Sequence, residues 1–300
     1  MIYTITFNPA IDYLLYVPEL KAGSVLRSEK EKLFCGGKGI NVSLVLQELG
    51  IESTAMGFVA GFTGNAIEHA LRGGGINTDF VHLKSGFTRI NVKIRSYCET
   101  DINGQGPEIT NDDIKILFKK LDGLKTGDTL VLAGSIPNTL SPDIYERIMG
   151  MLIERGVRFV VDATKDLLLN SLKYRPFLIK PNNDELGEIF GVRIDTPDDA
   201  TKYAGKLREM GAVNVLVSMG SKGAVLLDEN NKKHYFGIVG GKVVNTVGAG
   251  DSMVAGFIAG YLQKGDYEYA LKLGSAAGGA TACHEGLAKK DEILELLNDM

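Results

Sequence analysis

For most of its length this chain alternates apolar runs of strand length with amphipathic stretches of helix length, and that alternation limits the fold more than any single motif. Strand-like runs lie at 2 to 7, 53 to 58, 128 to 133, 157 to 162, 176 to 180 and 213 to 218. Helical patterns lie at 40 to 49, 64 to 73, 111 to 122, 142 to 155 and 198 to 210. Alternation of this kind builds an α/β fold, a mostly parallel sheet with helices on both faces. Two β-rich pieces follow at 223 to 228 and 233 to 239, then helices near 251 to 264, 266 to 283 and 290 to 298. Open α/β sheets bind ligands beyond the carboxyl ends of their strands, so Asn8, Gly134, Gly220 and the turn GAGD at 248 to 251 are expected at one edge.

Two segments break the alternation. Residues 10 to 34 hold two extended runs, IDYLLYV and SVLRSEKEKLF, and TRINVKIRSYC at 88 to 98 alternates with period two. In the latter, Arg89, Asn91 and Lys93 share one face and Ile90, Val92 and Ile94 the other. The aliphatic side must be buried somewhere. These segments read as a small antiparallel sheet inserted at 10–34 and 87–99 of a core formed by 1–9, 35–86 and 100–300, with its basic face over a ligand and its apolar face against a second subunit.

Elimination narrows the chemistry. With 33 basic and 37 acidic residues the net charge is -4, so no overall basic field favours nucleic acid or an anionic membrane. Three scattered cysteines make no disulfide framework or CxxC site, no leader-like segment opens the chain, and a cytoplasmic protein is expected. GxxxxGK[ST], GxGxxG, HExxH and GxSxG motifs are absent. Three glycine turns remain, CGGKGIN at 35 to 41, SMGSKGA at 218 to 224 and GAGD. Glycine turns that open helices present bare N–H groups to anions, and three of them suggest phosphate-bearing ligands. Asp251, just before a predicted helix, reads either as an N-cap or as a group that acts on the anion held beside it.

GGKGINVS at 36 to 43 and NTVGAGDSMVAGF at 245 to 257 resemble the two signature motifs of the ribokinase-like (PfkB) carbohydrate kinases, and FNPAIDY, TRINVKI, GPEIT, AGSIP and IKPNNDEL fall between them in the family's order and spacing. The resemblance covers essentially the whole chain and is strongest to the branch whose acceptors are ketohexose phosphates. It implies a three-layer α/β/α core with a β-sheet lid. It also implies a phosphotransferase that uses ATP and Mg2+ to convert fructose 1-phosphate to fructose 1,6-bisphosphate, with tagatose 6-phosphate as the alternative acceptor and a non-catalytic sugar-phosphate sensor as the alternative class. In that reading Asp251 is the base and Gly248, Ala249 and Gly250 form the anion hole. Asp12, Gly36, Gly37, Asn41, Asn91 and Ser135 would hold the sugar, and Arg27, Lys38, Arg89 and Lys93 its phosphate. Lys180, Asn182, Ser218, Gly220, Gly223 and Thr246 would hold the nucleotide, with Asn182 and Glu185 orienting magnesium through water. A homodimer through the lid completes the implied picture.

Overall fold

The computed structural model describes residues 1–237 and 241–300; the last two residues of the expected run 233 to 239 lie outside them. β1 (Ile2–Thr6) is followed by β2 (Ala10–Tyr16), β3 (Lys30–Gly36), α1 (Lys38–Glu48), β4 (Ser53–Ala60), α2 (Gly61–Gly73) and the short β5 (Asn77–Thr78) and β6 (Val81–Leu83). Next come β7 (Arg89–Arg95), β8 (Glu99–Ile102), α3 (Asn111–Leu121), β9 (Thr129–Ala133), α4 (Ile144–Leu152), β10 (Arg158–Asp162) and α5 (Lys165–Ser171). The chain continues through β11 (Leu178–Ile179), α6 (Asn183–Phe190), α7 (Pro197–Glu209), β12 (Asn214–Ser218), β13 (Ala224–Leu227) and β14 (Lys233–Phe236). It ends with α8 (Ala249–Lys264), α9 (Tyr267–Ala282) and α10 (Lys290–Asp299).

The large sheet runs in the order β14-β13-β12-β11-β10-β9-β1-β4-β5, with β6 paired to β4. It is parallel from β5 to β12, and the β12–β13 and β13–β14 pairs are antiparallel. Its middle strands are buried on both faces, and successive side chains go to different cores. Leu130, Leu132, Phe159 and Val161 pack with Leu117, Ile148 and Leu207 of α3, α4 and α7. Val131, Ala133 and Val160 pack with Val45, Val254 and Leu273 of α1, α8 and α9. The expected three layers follow from that split.

The helices start where local chemistry lets them. Thr110 with Asp113 and Thr196 with Asp199 form reciprocal capping boxes at α3 and α7, and Pro197 takes the first position of α7. α8 and α9 approach too closely for side chains between them: a Cβ at Gly256 would stand 2.6 Å from the Leu273 carbonyl oxygen, and one at Gly274 2.8 Å from that of Met253. This packing holds the start of α8 against the end of α9.

The second sheet has the order β3-β2-β7-β8. The sheet expected to be antiparallel is mixed: β2–β3 and β7–β8 are antiparallel, but β2 and β7 are parallel, with Asp12 beside Asn91, Ile11 beside Ile90, Tyr13 beside Val92 and Leu15 beside Ile94. The sheet reaches Gly36 and Ile102, past the expected limits at 34 and 99. Two short helices, α5 and α6, also lie where only connections were expected.

Candidate active site

The carboxyl ends of β1, β9, β10 and β12 open into a cavity of about 730 Å³ whose walls include Asn8, Gly134, Gly220 and the GAGD turn, as the topology requires. Gly248, at φ +82°, turns the chain into α8, so Ala249 and Gly250 are the first two helical residues and Asp251 the third. The N-cap reading of Asp251 is thereby corrected. The cap position belongs to Gly248, and no side chain caps this helix. Asp251 is buried, and its Oδ2 accepts a 2.7 Å hydrogen bond from Asn41 Nδ2. Burial, then the charge of Asp162, push its carboxyl up to about 6, against the opposing pull of Lys38, Asn41 and Lys180.

Beside it, the N–H groups of Gly250 and Asp251 have no backbone partner among the described residues, whereas the Ala249 N–H donates to Thr246 O at 3.2 Å. Of the three residues expected to build the anion hole, Ala249 thus has its N–H turned back into the loop. Lys180, buried at the end of β11, lies over the hole. A Cβ at Gly250 would come within 3.1 Å of its Nζ, so the glycine makes room for the ammonium group.

Sequence reasoning missed Asp162. It ends β10, is 1% exposed, and pairs with Lys38 Nζ at 3.2 Å and Lys180 Nζ at 3.4 Å. Burial by itself would raise its carboxyl, but Lys180 and Lys38 hold it below the ordinary value. It joins two lysines 142 positions apart (180 minus 38) at the phosphate end of the cavity. The one available signal was its place at the carboxyl end of the apolar run VRFVVD.

Asp12, Gly37, Arg89 and Ser135 also line the cavity, with Lys38 and Asn41. Asn91 and Lys93 reach Asp12: Asn91 Nδ2 donates to Oδ1 at 2.8 Å and Lys93 Nζ stands 3.3 Å from Oδ2. Gly36 packs on the same carboxylate, where a Cβ would lie 2.8 Å from Oδ2. These three hold Asp12 in place. Arg89 Nε donates to Asn8 O at 3.2 Å, so its guanidinium stays at the cavity wall. Arg27 sits exposed in the β2–β3 loop and does not line the cavity of its own chain.

Ser218, Gly220, Gly223 and Thr246 line the remaining wall with Lys180, Asn182 and Glu185. Gly223 is fixed by packing, since a Cβ there would meet Phe236 O at 2.0 Å. Asn182 and Glu185 form a capping box at α6. Asn182 Oδ1 accepts from the Glu185 N–H at 2.7 Å, and Glu185 Oε2 accepts from the Asn182 N–H at 2.8 Å. That leaves Glu185 Oε1 toward solvent or ligand. Among the described residues no group of three or more His, Cys, Asp or Glu side chains is placed to cage a metal. One free carboxylate oxygen beside a phosphate-sized anion hole fits a hydrated magnesium ion that arrives with phosphates and keeps most of its water.

The pfkB family carbohydrate kinase profile matches residues 5–293. A 1-phosphofructokinase of Bacillus subtilis is 44% identical over 300 residues, covering 100% of this chain and 98% of that one. A D-tagatose-1-phosphate kinase of Bacillus licheniformis is 37% identical over 98% of this chain and 96% of its own. A crystal structure of a Staphylococcus aureus protein described as a candidate phosphofructokinase superposes with a TM-score of 0.90 at 40% identity, over 99% of this chain and 97% of that one.

Proposed function

The chain belongs to the pfkB family of carbohydrate kinases, and on that footing we propose that it transfers the γ-phosphoryl group of ATP to a hydroxyl of fructose 1-phosphate, giving fructose 1,6-bisphosphate and ADP. The observation that carries this reading is the pairing of a buried carboxylate, pushed up to about 6, with unpartnered N–H groups in the same helical turn. Phosphoryl transfer needs a proton acceptor at the attacking oxygen and fixed positive dipoles at the moving group, and this turn supplies both.

In the reaction, Asp12 and Asn41 orient the sugar so that the acceptor hydroxyl meets Asp251. Asp251 takes the proton as the hydroxyl oxygen bonds to the γ-phosphorus. The bond from that phosphorus to the bridging oxygen breaks, and the electron pair leaves with ADP. The N–H groups of Gly250 and Asp251 and the Lys180 ammonium hold the negative charge of the transferring group. Magnesium, held through water by Glu185 and Asn182, would neutralise the nucleotide phosphates. Asp162 lies between Lys38 and Lys180 and fixes both ammonium groups where they stand. Arg89 is the cavity-lining cation for the phosphate the acceptor already carries, whereas Lys93, expected beside it, is paired with Asp12 and lines the neighbouring pocket.

The tagatose 1-phosphate relative favours a second acceptor of the same charge and shape. ADP release measured with fructose 1-phosphate, tagatose 1-phosphate, tagatose 6-phosphate, fructose 6-phosphate and fructose side by side tests the choice. The highest kcat/KM is expected with fructose 1-phosphate. A higher value with unphosphorylated fructose would defeat the assignment of Arg89 to an existing phosphate, and no turnover with any of them would favour a sensor.

The lid's outer face supports a homodimer. Ile11, Tyr13 and Leu15 of β2 stand in register with Ile90, Val92 and Ile94 of β7, flanked by the exposed Leu33 and Ile102. An apolar sheet face of this kind, packed on its own core only at Ile11, suits the same face of a second copy related by a two-fold axis.

A further inference from the structure

Two features of the chain have no work in the mechanism: Asn8, which lines the cavity, and the motif GPEIT at 106 to 110. The fold brings them together. Between the end of β8 at Ile102 and the start of α3 at Asn111 the chain runs as a strap, and its first half passes Asn8 and the start of β7. Asn8 Nδ2 donates to Gln105 O at 2.9 Å. Arg89 Nη1 donates to Gly104 O at 3.4 Å, and Arg89 Nε to Asn8 O at 3.2 Å. The Gly104 N–H donates to Asn91 Oδ1 at 3.2 Å.

The strap is fitted to these side chains. Gly106 has φ +89°, and a Cβ there would run into Asn8 Oδ1, so both its backbone conformation and its neighbour call for glycine. A Cβ at Gly104 would lie 2.9 Å from Ile90 O, and Pro107 packs on Gly86 just ahead of β7. Position 8 and the strap are thus matched to each other at the root of the lid.

The consequence falls on Arg89. Its side chain is half-buried, and its two hydrogen bonds go to neutral carbonyls instead of a carboxylate. A guanidinium carries five N–H donors in one plane. Two of them are spent on Asn8 O and Gly104 O, which leaves the others, and the charge, for an anion in the cavity. One bond alone would let the planar group swing about it. Gly104 O supplies the second point, and the Asn8 amide ties the strap down at the very next residue.

We propose that Asn8 is a positioning residue for the acceptor: its side chain holds the strap at 103 to 107 against Arg89 and so sets the affinity for the phosphate that the acceptor already carries. This rests on the kinase reading above and adds to it a residue that acts through Arg89.

The test is steady-state kinetics with fructose 1-phosphate and ATP for the wild-type protein, Asn8→Ala, Arg89→Ala and the double variant, with circular dichroism verifying the fold. Loss of one neutral hydrogen bond should raise KM for fructose 1-phosphate about three- to tenfold in Asn8→Ala, with kcat within threefold and KM for ATP within twofold. In the Arg89→Ala background the same substitution should add less than twofold, because the group it positions is gone. Gly106→Ala, which displaces the strap from Asn8 without touching it, should reproduce the rise in KM. An unchanged KM for fructose 1-phosphate in both Asn8→Ala and Gly106→Ala would overturn the proposal. So would an equal rise with and without Arg89, which would mean that Asn8 acts independently of it. Wild-type protein that neither bound nor phosphorylated fructose 1-phosphate would overturn the acceptor reading and this proposal with it, a result distinct from an active kinase indifferent to Asn8.

Discussion

Asp251 carries a cost that its role explains. Its carboxyl is pushed up to about 6 from an ordinary 3.8, so between those values the folded protein binds more protons than the unfolded chain. Stability contributed by the protonated group is complete below about pH 4 and is lost as pH rises through 6, after which the ionised, buried carboxylate is a fixed penalty. About two units correspond to roughly 3 kcal/mol as an upper bound. Asp251→Asn is therefore expected to melt higher than wild type in urea at pH 8, by about 1–3 kcal/mol, with the gain gone at pH 4. The same variant should lose about 10²- to 10⁴-fold in kcat while still binding both substrates. Near-normal turnover would remove Asp251 as the base. The pH profile follows from the same charges. The wild-type kcat/KM should fall below about pH 6 as Asp251 protonates. In Asp162→Asn the second-largest cause of the shift is gone, and the acid limb should move to lower pH; a limb that stays in place would separate the two carboxylates. The motif GAGD made Asp251 readable in the sequence. Asp162 was legible only as a carboxylate at a strand end, because its partners, Lys38 at the start of α1 and Lys180 after β11, meet it only in the folded chain.

Single elements repeat the point that one spacing can serve two purposes. N-x-x-E at 182 to 185 resembles a magnesium-orienting motif and is also the capping box of α6, which is why the helix behind it was not anticipated. The loop after α9 does comparable double duty. Glu285 pairs with Lys30 at 3.2 Å and with Lys32, and accepts from Tyr16 OH at 3.1 Å, all three on the lid. Hydrogen bonds from Lys32 and Lys30 pull its carboxyl down to about 2, so the latch is charged at any working pH. Two residues on, Leu287 packs on Gly248, where a Cβ would come within 2.6 Å of its Cδ2, and Asn245 Nδ2 donates to Glu285 O at 3.1 Å. One loop therefore grips both the lid and the turn that opens α8. Glu285→Gln should leave stability nearly unchanged, because the ion pairs are partly exposed. It should raise KM for the sugar phosphate several-fold and increase ATP hydrolysis relative to phosphoryl transfer, since a looser lid admits water. ADP release with and without acceptor measures that ratio. An unchanged ratio would mean that the lid is held by something other than this latch.

At the level of the whole molecule, the core was legible because parallel strands buried on both faces must be apolar throughout, as TLVLA of β9 is. The lid was legible in outline, since period-two alternation at 89 to 95 requires a two-faced strand, but its full extent was not. β8, ETDI, carries almost no apolar pattern and is defined by pairing with β7. The same alternation leaves Leu33 at 67% and Ile102 at 58% exposure on the borders of the half-buried apolar face of β2 and β7. At about 25 cal/mol per Å² of apolar surface removed from water, covering some hundreds of Å² on each copy is enough to hold a dimer at micromolar concentration. The wild-type protein should sediment as a dimer. Val92→Asp puts a charge at the centre of that face, beside Tyr13 and Ile102, and should give a folded monomer at the same concentration. Because Asp12, Asn91 and Lys93 are on the opposite side of the same strands, the monomer should also lose affinity for the sugar phosphate before it loses nucleotide binding. Wild-type protein that sediments as a monomer, or a Val92→Asp variant that stays dimeric with unchanged sugar affinity, would show that the lid is braced from within its own chain.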